Sequence, residues 1–189
     1  GEHEPLGRIE AERDVIAEAD ALVAATAHEQ DFMVRLYGAD PERVHIIPLG
    51  VDTSRFAPLE KLAARRELGL NGERLLLFVG RPDPLKGLEV LISAASQLED
   101  PHGVRVLVVG GSESDAAGFQ RAHDLAEQLD MASKVDYIGS VAHERLPYYY
   151  SAADICVIPS YYESFGLVAL ESMACGTPVV AARVGGLRS

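Results

Sequence analysis

Short apolar runs alternate with segments of helical periodicity along most of the chain. Strands covered on both faces of a parallel sheet have this short, continuously apolar character. The runs that predict strands are 75–79, 104–109, 135–138, 155–158 and 179–182. Between and around them, apolar residues recur at helical spacing at 87–98, 115–129, 143–151 and 167–175. The alternation predicts an α/β fold with a doubly wound parallel sheet.

The first 48 residues repeat this alternation in a shorter form. Helices are predicted at 9–19 and 28–37, and strands at 21–25 and 44–47. Proline, glycine and aspartate then cluster without an apolar period, which predicts a linker at 49–60. The chain therefore divides into a short unit at 1–48, the linker, and an α/β domain at 61–189. No closing helix follows the last predicted strand, so we expect both units to be parts of a longer protein.

Composition restricts the partners of this chain. Its 189 residues carry a formal net charge of −12, which disfavours nucleic acid and anionic membranes as ligands. No apolar run approaches a membrane span, and the N-terminus lacks the features of a signal peptide, so a cytoplasmic location is expected. Cys156 and Cys175 lie in apolar segments and are expected to be reduced core residues.

Two carboxylates flank a glycine where a predicted strand gives way to a helix. Glu163 precedes Gly166, and Glu171 follows about one and a half turns into the helix. Open α/β sheets bind ligands at this kind of strand end. Glu171 is placed to accept hydrogen bonds from vicinal hydroxyls such as those of a ribose, and Glu163 from sugar hydroxyls. The alternatives are a helix N-terminal acid for Glu163 and a solvated helix residue for Glu171.

A second strand end carries two cations. Arg81 and Lys86 lie between the strand at 75–79 and the following helix. Together with free N–H groups of a helix N-terminus they would suit a phosphate or diphosphate, because arginine offers a planar fork and lysine a point charge. Taken alone, both are as easily explained as solvated loop residues. The acidic segment at another strand end of the same sheet favours the binding site.

Several common signatures are absent from the sequence. Gly110 and Gly111 are not followed by a third glycine in register, so dinucleotide binding of the G-x-G-x-x-G type is not indicated. Lys86 is not part of a P-loop, and Ser164 lacks the G-x-S-x-G context of a hydrolase nucleophile. No Cys or His cluster has zinc spacing, so no protein-bound metal is expected. Tyr148, Tyr149 and Tyr150 are assigned to helix packing.

The motifs together resemble a known family, the retaining GT-B glycosyltransferases of the GT4 type. The resemblance is carried by five segments, namely 48–52, Gly80-Arg81 with Lys86-Gly87, the E-x7-E spacing from Glu163 to Glu171, 174–180 and 184–187. Within the family, the chain looks most similar to D-inositol-3-phosphate glycosyltransferases and to sucrose-phosphate or sucrose synthases. The resemblance implies a GT-B fold, whose Rossmann-like C-terminal domain binds a nucleotide sugar. Residues 1–48 would then end an N-terminal acceptor domain.

The resemblance also implies roles for individual residues. Arg81 and Lys86 would hold the diphosphate, Glu171 the ribose hydroxyls, and Glu163 the transferred sugar. Arg81, Lys86 and Glu163 are thus the candidate catalytic residues, and neither glutamate is assigned as a general base. Backbone groups of a further set would contact the donor: Val141 at the base, and Ser164, Phe165, Gly166, Leu167 and Val168 at the sugar and phosphate.

The implied reaction is transfer of a hexosyl group with retention of configuration and without a required metal or other cofactor. The expected donor is a UDP-sugar, UDP-glucose or UDP-GlcNAc, although ADP or GDP is not excluded by these residues. Two alternatives stay open: a non-hydrolysing UDP-sugar epimerase of the same fold, and a non-catalytic nucleotide-binding module. The acceptor and any self-association are not specified by the sequence. We expect this chain alone to be inactive.

Overall fold

Seven α-helices and seven strands alternate along residues 7–188, the part of the chain that the computed structural model describes. The helices are α1 Arg8–Glu18, α2 Ala27–Tyr37, α3 Lys61–Glu67, α4 Leu88–Ser96, α5 Ala116–Gln128, α6 Leu146–Ala152 and α7 Leu167–Ala174. The strands are β1 Leu22–Ala24, β2 Val44–Ile46, β3 Arg74–Val79, β4 Val104–Val109, β5 Val135–Gly139, β6 Ile155–Ile158 and β7 Val179–Ala181. The predicted alternation is confirmed. Residues 1–6 of the first predicted unit and residue 189 of the second lie outside the described part.

Five parallel strands form the main sheet in the order β5-β4-β3-β6-β7. The chain moves from β3 to one edge through α4 and α5, then returns past β3 to the other edge through α6 and α7. Because such crossovers are right-handed, the first pair of helices covers one face and the second pair the other. The side of β3 on which successive strands are added changes between β5 and β6, so β3 and β6 flank the topological switch point of the sheet. Open α/β sheets bind ligands at such a switch point.

The core consists of one apolar layer on each face of the sheet. Successive residues of β4 alternate between them, with Leu107 and Val109 in the layer under α6 and Val106 and Val108 in the layer under α4 and α5. Strand β4 is buried on both faces, which explains its continuous apolar run. Cys156 lies in the first layer, and burial raises the pKa of its thiol to about 12. Cys156 and Cys175 are both buried free thiols, as predicted.

The N-terminal unit is a small layer of its own. Strands β1 and β2 pair in parallel, and α1 and α2 pack together beside them. Its buried apolar residues, within the described part, are Ala24, Ala39 and Val44. Thr26 caps α2 by accepting a hydrogen bond from the N–H of Glu29 at 3.1 Å. The helices and strands predicted at 9–47 are thus present, with the strands shorter than predicted.

One helix was not predicted. Helix α3 buries only Ala64, so its sequence shows no apolar stripe. It begins instead at a polar cap, because the Glu60 carboxylate accepts hydrogen bonds from the N–H groups of Leu62 and Ala63. The segment predicted as a linker is also packed rather than free. Phe56 is 2% exposed and its ring meets that of Tyr150 edge-on at 6.0 Å.

Asp154 joins α3 to the sheet. Its carboxylate accepts hydrogen bonds from Lys61, from Arg65 at 2.8 Å and from the N–H of Leu75 at 2.7 Å. Burial opposes ionisation, but the hydrogen bonds from Lys61 and Leu75 and the charges of Lys61 and Arg65 outweigh it and lower the pKa of Asp154. Its contribution to stability is therefore complete above the ordinary aspartate pKa of 3.8 and is lost as pH falls through the lower folded value.

We predict that Asp154→Asn lowers the free energy of unfolding at neutral pH by about 1 kcal/mol, since partial exposure screens the charge that is removed. The difference from wild type should shrink as pH falls below the ordinary aspartate pKa of 3.8, because the unfolded chain then takes up a proton at Asp154 while the folded carboxylate stays ionised until its lower pKa is reached. Urea titrations at several pH values measure it. Asp124→Asn is the control, because Asp124 is exposed and its carboxylate accepts a hydrogen bond from the side chain of Gln120. A difference that grew at low pH would contradict this account.

Candidate functional site

The loops that follow β3 and β6 pack directly against each other at the switch point. Gly87 has φ 70°, a conformation that favours glycine, and a Cβ atom there would overlap the carbonyl oxygen of Pro159. The N–H of Tyr161 donates to the carbonyl of Leu85 at 2.8 Å. The glycine therefore allows the closest approach of the two loops and sets the position of their side chains.

Lys86 and Glu163 meet across this junction. Lys86 Nζ lies 2.8 Å from Glu163 Oε2, with the lysine side chain 37% exposed and the glutamate side chain 16% exposed. Arg81 is exposed and makes no ion pair with any residue in the described range. The structure thus brings together two of the three candidate catalytic residues by direct contact. It places Arg81 on the same loop as Lys86.

Backbone from the C-terminal turn supports the Glu163 loop. The N–H of Gly186 donates to the carbonyl of Glu163 at 3.0 Å, and a Cβ on Gly185 would collide with that same carbonyl. The Gly185-Gly186 pair therefore serves close approach of protein backbone to the loop that carries the candidate carboxylate.

Helix α7 begins at the predicted position. Gly166 is its N-cap in the left-handed region, with φ 97°, and makes no side-chain cap. The first N–H groups of the helix, at Leu167 and Val168, have no partner within the helix by its geometry. Uncapped N–H groups beside a cation can hold an anion. Ser164 and Leu167 are exposed here, while Phe165 and Val168 are half-buried.

Glu171 lies one turn further along α7 and has a protein group close to each of its oxygens. The hydroxyl of Tyr150 donates to Glu171 Oε2 at 2.6 Å, and His143 Nε2 lies 3.5 Å from Glu171 Oε1. The glutamate side chain is only 13% exposed, so the alternative of a solvated helix residue is wrong. Burial, followed by the bond to Glu171, raises the pKa of Tyr150 far above its usual value. The tyrosine is a permanent donor to the carboxylate.

Sequence reasoning missed both partners of Glu171. Tyr150 is a packing residue, as assigned, but its hydroxyl also reaches a polar site. His143 precedes α6 and belongs to no motif. Tyr150 lies 21 positions before Glu171 in the chain, so no local spacing connects them. Only the packing of α6 against α7 brings them together.

The segment after β5 lines an open cavity together with α5. The Ser140 hydroxyl donates to the carbonyl of Gly111 at 2.5 Å, and the N–H of Gly110 donates to the carbonyl of Gly139 at 2.8 Å. The cavity measures about 740 Å³ and includes Gly139 and Ser140 in its lining. Val141 is half-buried against the core layer that contains Tyr150.

Residues 7–188 contain neither a metal-binding cluster nor a membrane-spanning helix. No group of three or more His, Cys, Asp or Glu side chains there could hold a metal ion. Within the same residues, each helix is too short or too polar to cross a bilayer.

Two protein families match the chain. "Glycosyl transferases group 1" matches residues 60–189, and "Glycosyltransferase Family 4" matches residues 3–55. D-inositol 3-phosphate glycosyltransferase from Rhodococcus jostii is 48% identical over 97% of this chain, and D-inositol 3-phosphate glycosyltransferase 2 from Catenulispora acidiphila is 50% identical over 97%. The chain covers 42% and 45% of these relatives, less than half of their length.

Two solved structures are also similar to this chain over nearly its whole length. Sucrose-phosphate synthase from Thermosynechococcus elongatus is 38% identical with a TM-score of 0.86, over 96% of this chain and 45% of that one. Anabaena HepE, solved in complex with UDP and glucose, is 26% identical with a TM-score of 0.88, over 99% of this chain and 51% of that one.

The contact between the β3 and β6 loops gives a prediction with a matched control. Gly69 has φ 67°, nearly that of Gly87, but a Cβ there would meet nothing within 4 Å. Gly69→Ala should cost about 1–2 kcal/mol for the left-handed conformation. Gly87→Ala should cost clearly more, because it also forces the loop away from Pro159. Urea unfolding of the two variants measures the difference, and equal losses would rule out a tight junction.

Proposed function

The chain belongs to the glycosyl transferases group 1 family, and on that premise we propose that it holds the donor site of a retaining glycosyltransferase using a UDP-sugar. Its fold is of the GT-B type. The observation that carries the proposal is the Lys86–Glu163 contact at the switch point, beside the uncapped start of α7. The complexes of HepE with UDP and with UDP-glucose support the choice of donor.

Arg81, Lys86 and the first N–H groups of α7 are proposed to bind the diphosphate. All three lie at strand ends next to the switch point, and Arg81 has no competing ion pair within the described residues. As the bond to the sugar breaks, negative charge grows on the diphosphate. Fixed positive charges stabilise that charge without having to reorganise, and this lowers the barrier to transfer.

Glu163 is proposed to accept hydrogen bonds from hydroxyls of the transferred sugar. Its contact with Lys86 fixes one oxygen, Oε2, toward the diphosphate side. The other oxygen is then free for a neutral hydroxyl. Lys86 would then contact both the diphosphate and Glu163, and so connect the diphosphate site with the sugar site through one side chain.

Glu171 is proposed to bind the ribose. The hydrogen bond from the Tyr150 hydroxyl uses one lone pair of Glu171 Oε2. Lone pairs therefore remain on both carboxylate oxygens for the vicinal hydroxyls of a ribose. A carboxylate already held by the protein loses little freedom on binding. The base would then lie along the backbone near Val141, next to the cavity lined by Gly139 and Ser140.

The proposed reaction proceeds on one face of the sugar. The acceptor hydroxyl attacks the anomeric carbon as the bond to the diphosphate oxygen breaks, and the departing diphosphate takes up the acceptor proton. Arg81 and Lys86 hold this diphosphate in place throughout the step. No side chain of the described residues is required as nucleophile or general base.

The names of two relatives suggest an acceptor. The relatives at 48–50% identity are named as D-inositol 3-phosphate glycosyltransferases, so an inositol phosphate is the first acceptor to test. An epimerase would need acid and base groups outside the contacts described above, and a binding module would not need the Lys86–Glu163 arrangement. Retention of configuration, a cytoplasmic location, independence from metal, self-association and inactivity of this chain alone stay predictions.

We predict that Arg81→Ala and Lys86→Ala each weaken UDP binding by about 10-fold or more, because each removes a hydrogen bond to a charged group. Isothermal calorimetry with UDP measures the change. Arg66→Ala is the control, since Arg66 is an exposed residue of α3 that pairs with Glu60. Unchanged UDP affinity in both variants would overturn the donor-site proposal.

A further inference from the structure

A chain of side-chain contacts runs from the segment at 49–60 to the candidate ribose carboxylate. Arg55 Nη1 lies 2.8 Å from His143 Nδ1, and His143 Nε2 lies 3.5 Å from Glu171 Oε1. The ring of Phe56 meets the imidazole edge-on, with 5.0 Å between centroids. His143 is therefore in contact with both the connecting segment and the site.

The contact with Arg55 determines the proton position on the imidazole. A guanidinium group only donates hydrogen bonds and is not deprotonated in proteins. Nδ1 of His143 must therefore accept, which puts the ring proton on Nε2. That nitrogen lies 3.5 Å from Glu171 Oε1, so the imidazole has its N–H at the long limit of a hydrogen bond to the carboxylate.

The two residues that hold His143 are themselves fixed. The N–H groups of Arg55 and Phe56 both donate to the carbonyl of Asp52, at 3.1 and 2.8 Å. Phe56 is 2% exposed and packs in the core layer with Tyr150. Arg55 also lies 4.0 Å from Glu144, which keeps its guanidinium near the imidazole.

We propose that His143 is a positioning residue for Glu171, and that Arg55 sets its tautomer. Tyr150 bonds to Oε2 and the His143 N–H lies 3.5 Å from Oε1, so each oxygen has a neighbouring protein donor before the nucleotide arrives. The segment between the two units thereby acts on ribose binding without touching the nucleotide. This inference rests on the proposed function, because it takes Glu171 as the ribose ligand.

The test compares UDP with 2′,3′-dideoxy-UDP, which lacks the hydroxyls that Glu171 would bind. Isothermal calorimetry on wild type should show UDP binding about 10-fold more tightly than the dideoxy compound. His143→Ala should weaken UDP by about fivefold and leave the dideoxy compound unchanged, so that the preference falls. His143→Gln, which retains a donor for Oε1, should restore part of the preference.

Arg55→Ala should lower the preference in the same direction. Because Arg55 acts through His143, the double variant Arg55→Ala/His143→Ala should show no further loss beyond His143→Ala. The control is His123→Ala, since His123 has a side chain 47% exposed, close to the 50% of His143, and pairs with Glu127 instead. The His123→Ala variant should prefer UDP over the dideoxy compound by the same factor as wild type.

Each contrary result would overturn a different part of the proposal. If His143→Ala weakens both compounds equally, or neither, His143 does not position Glu171. A preference unchanged in Arg55→Ala removes the connecting segment from the account. A wild type that binds both compounds equally shows that Glu171 is not the ribose ligand, while the diphosphate site stands. A wild type that does not bind UDP overturns the proposed function itself, and this inference with it.

Discussion

The packing of the β3 loop on the β6 loop is the constraint on which the candidate site depends. Gly87 lies against the carbonyl of Pro159, and this approach is closed to any residue with a Cβ. Lys86, the preceding residue, is thereby brought within 2.8 Å of Glu163. A cation and a carboxylate from opposite sides of the switch point become one unit. The parallel sheet places the two loops side by side, and Gly87 allows their backbones to pack closely.

The two glutamates of the E-x7-E segment experience different surroundings. Glu163 is paired with a cation that the proposed diphosphate would share. Glu171 is paired with the neutral hydroxyl of Tyr150, which keeps its proton because burial and the carboxylate both raise its pKa. One carboxylate is suited to the reacting half of the ligand. The other is suited to a part that only needs to be held.

The sequence predicted those features that depend on local pattern. The strands of the main sheet, the start of α7 at Gly166 and the placement of both candidate loops at strand ends all follow from apolar runs and glycines. Features that depend on contacts between distant segments were not predictable. Helix α3 buries a single alanine and so leaves no apolar period, and the bond from Tyr150 to Glu171 exists only because α6 packs on α7. The roles of the site residues stay predictions.

The most direct measurement of the central claim is a crystal structure of this chain with UDP-glucose bound. The account predicts the diphosphate at the junction of the β3 and β6 loops, with Arg81 and Lys86 at about 2.7–2.9 Å from its oxygens. Glu163 should face the glucose hydroxyls and Glu171 the ribose. A diphosphate bound elsewhere, with the Lys86–Glu163 contact unchanged and no ligand oxygen near either residue, would contradict it.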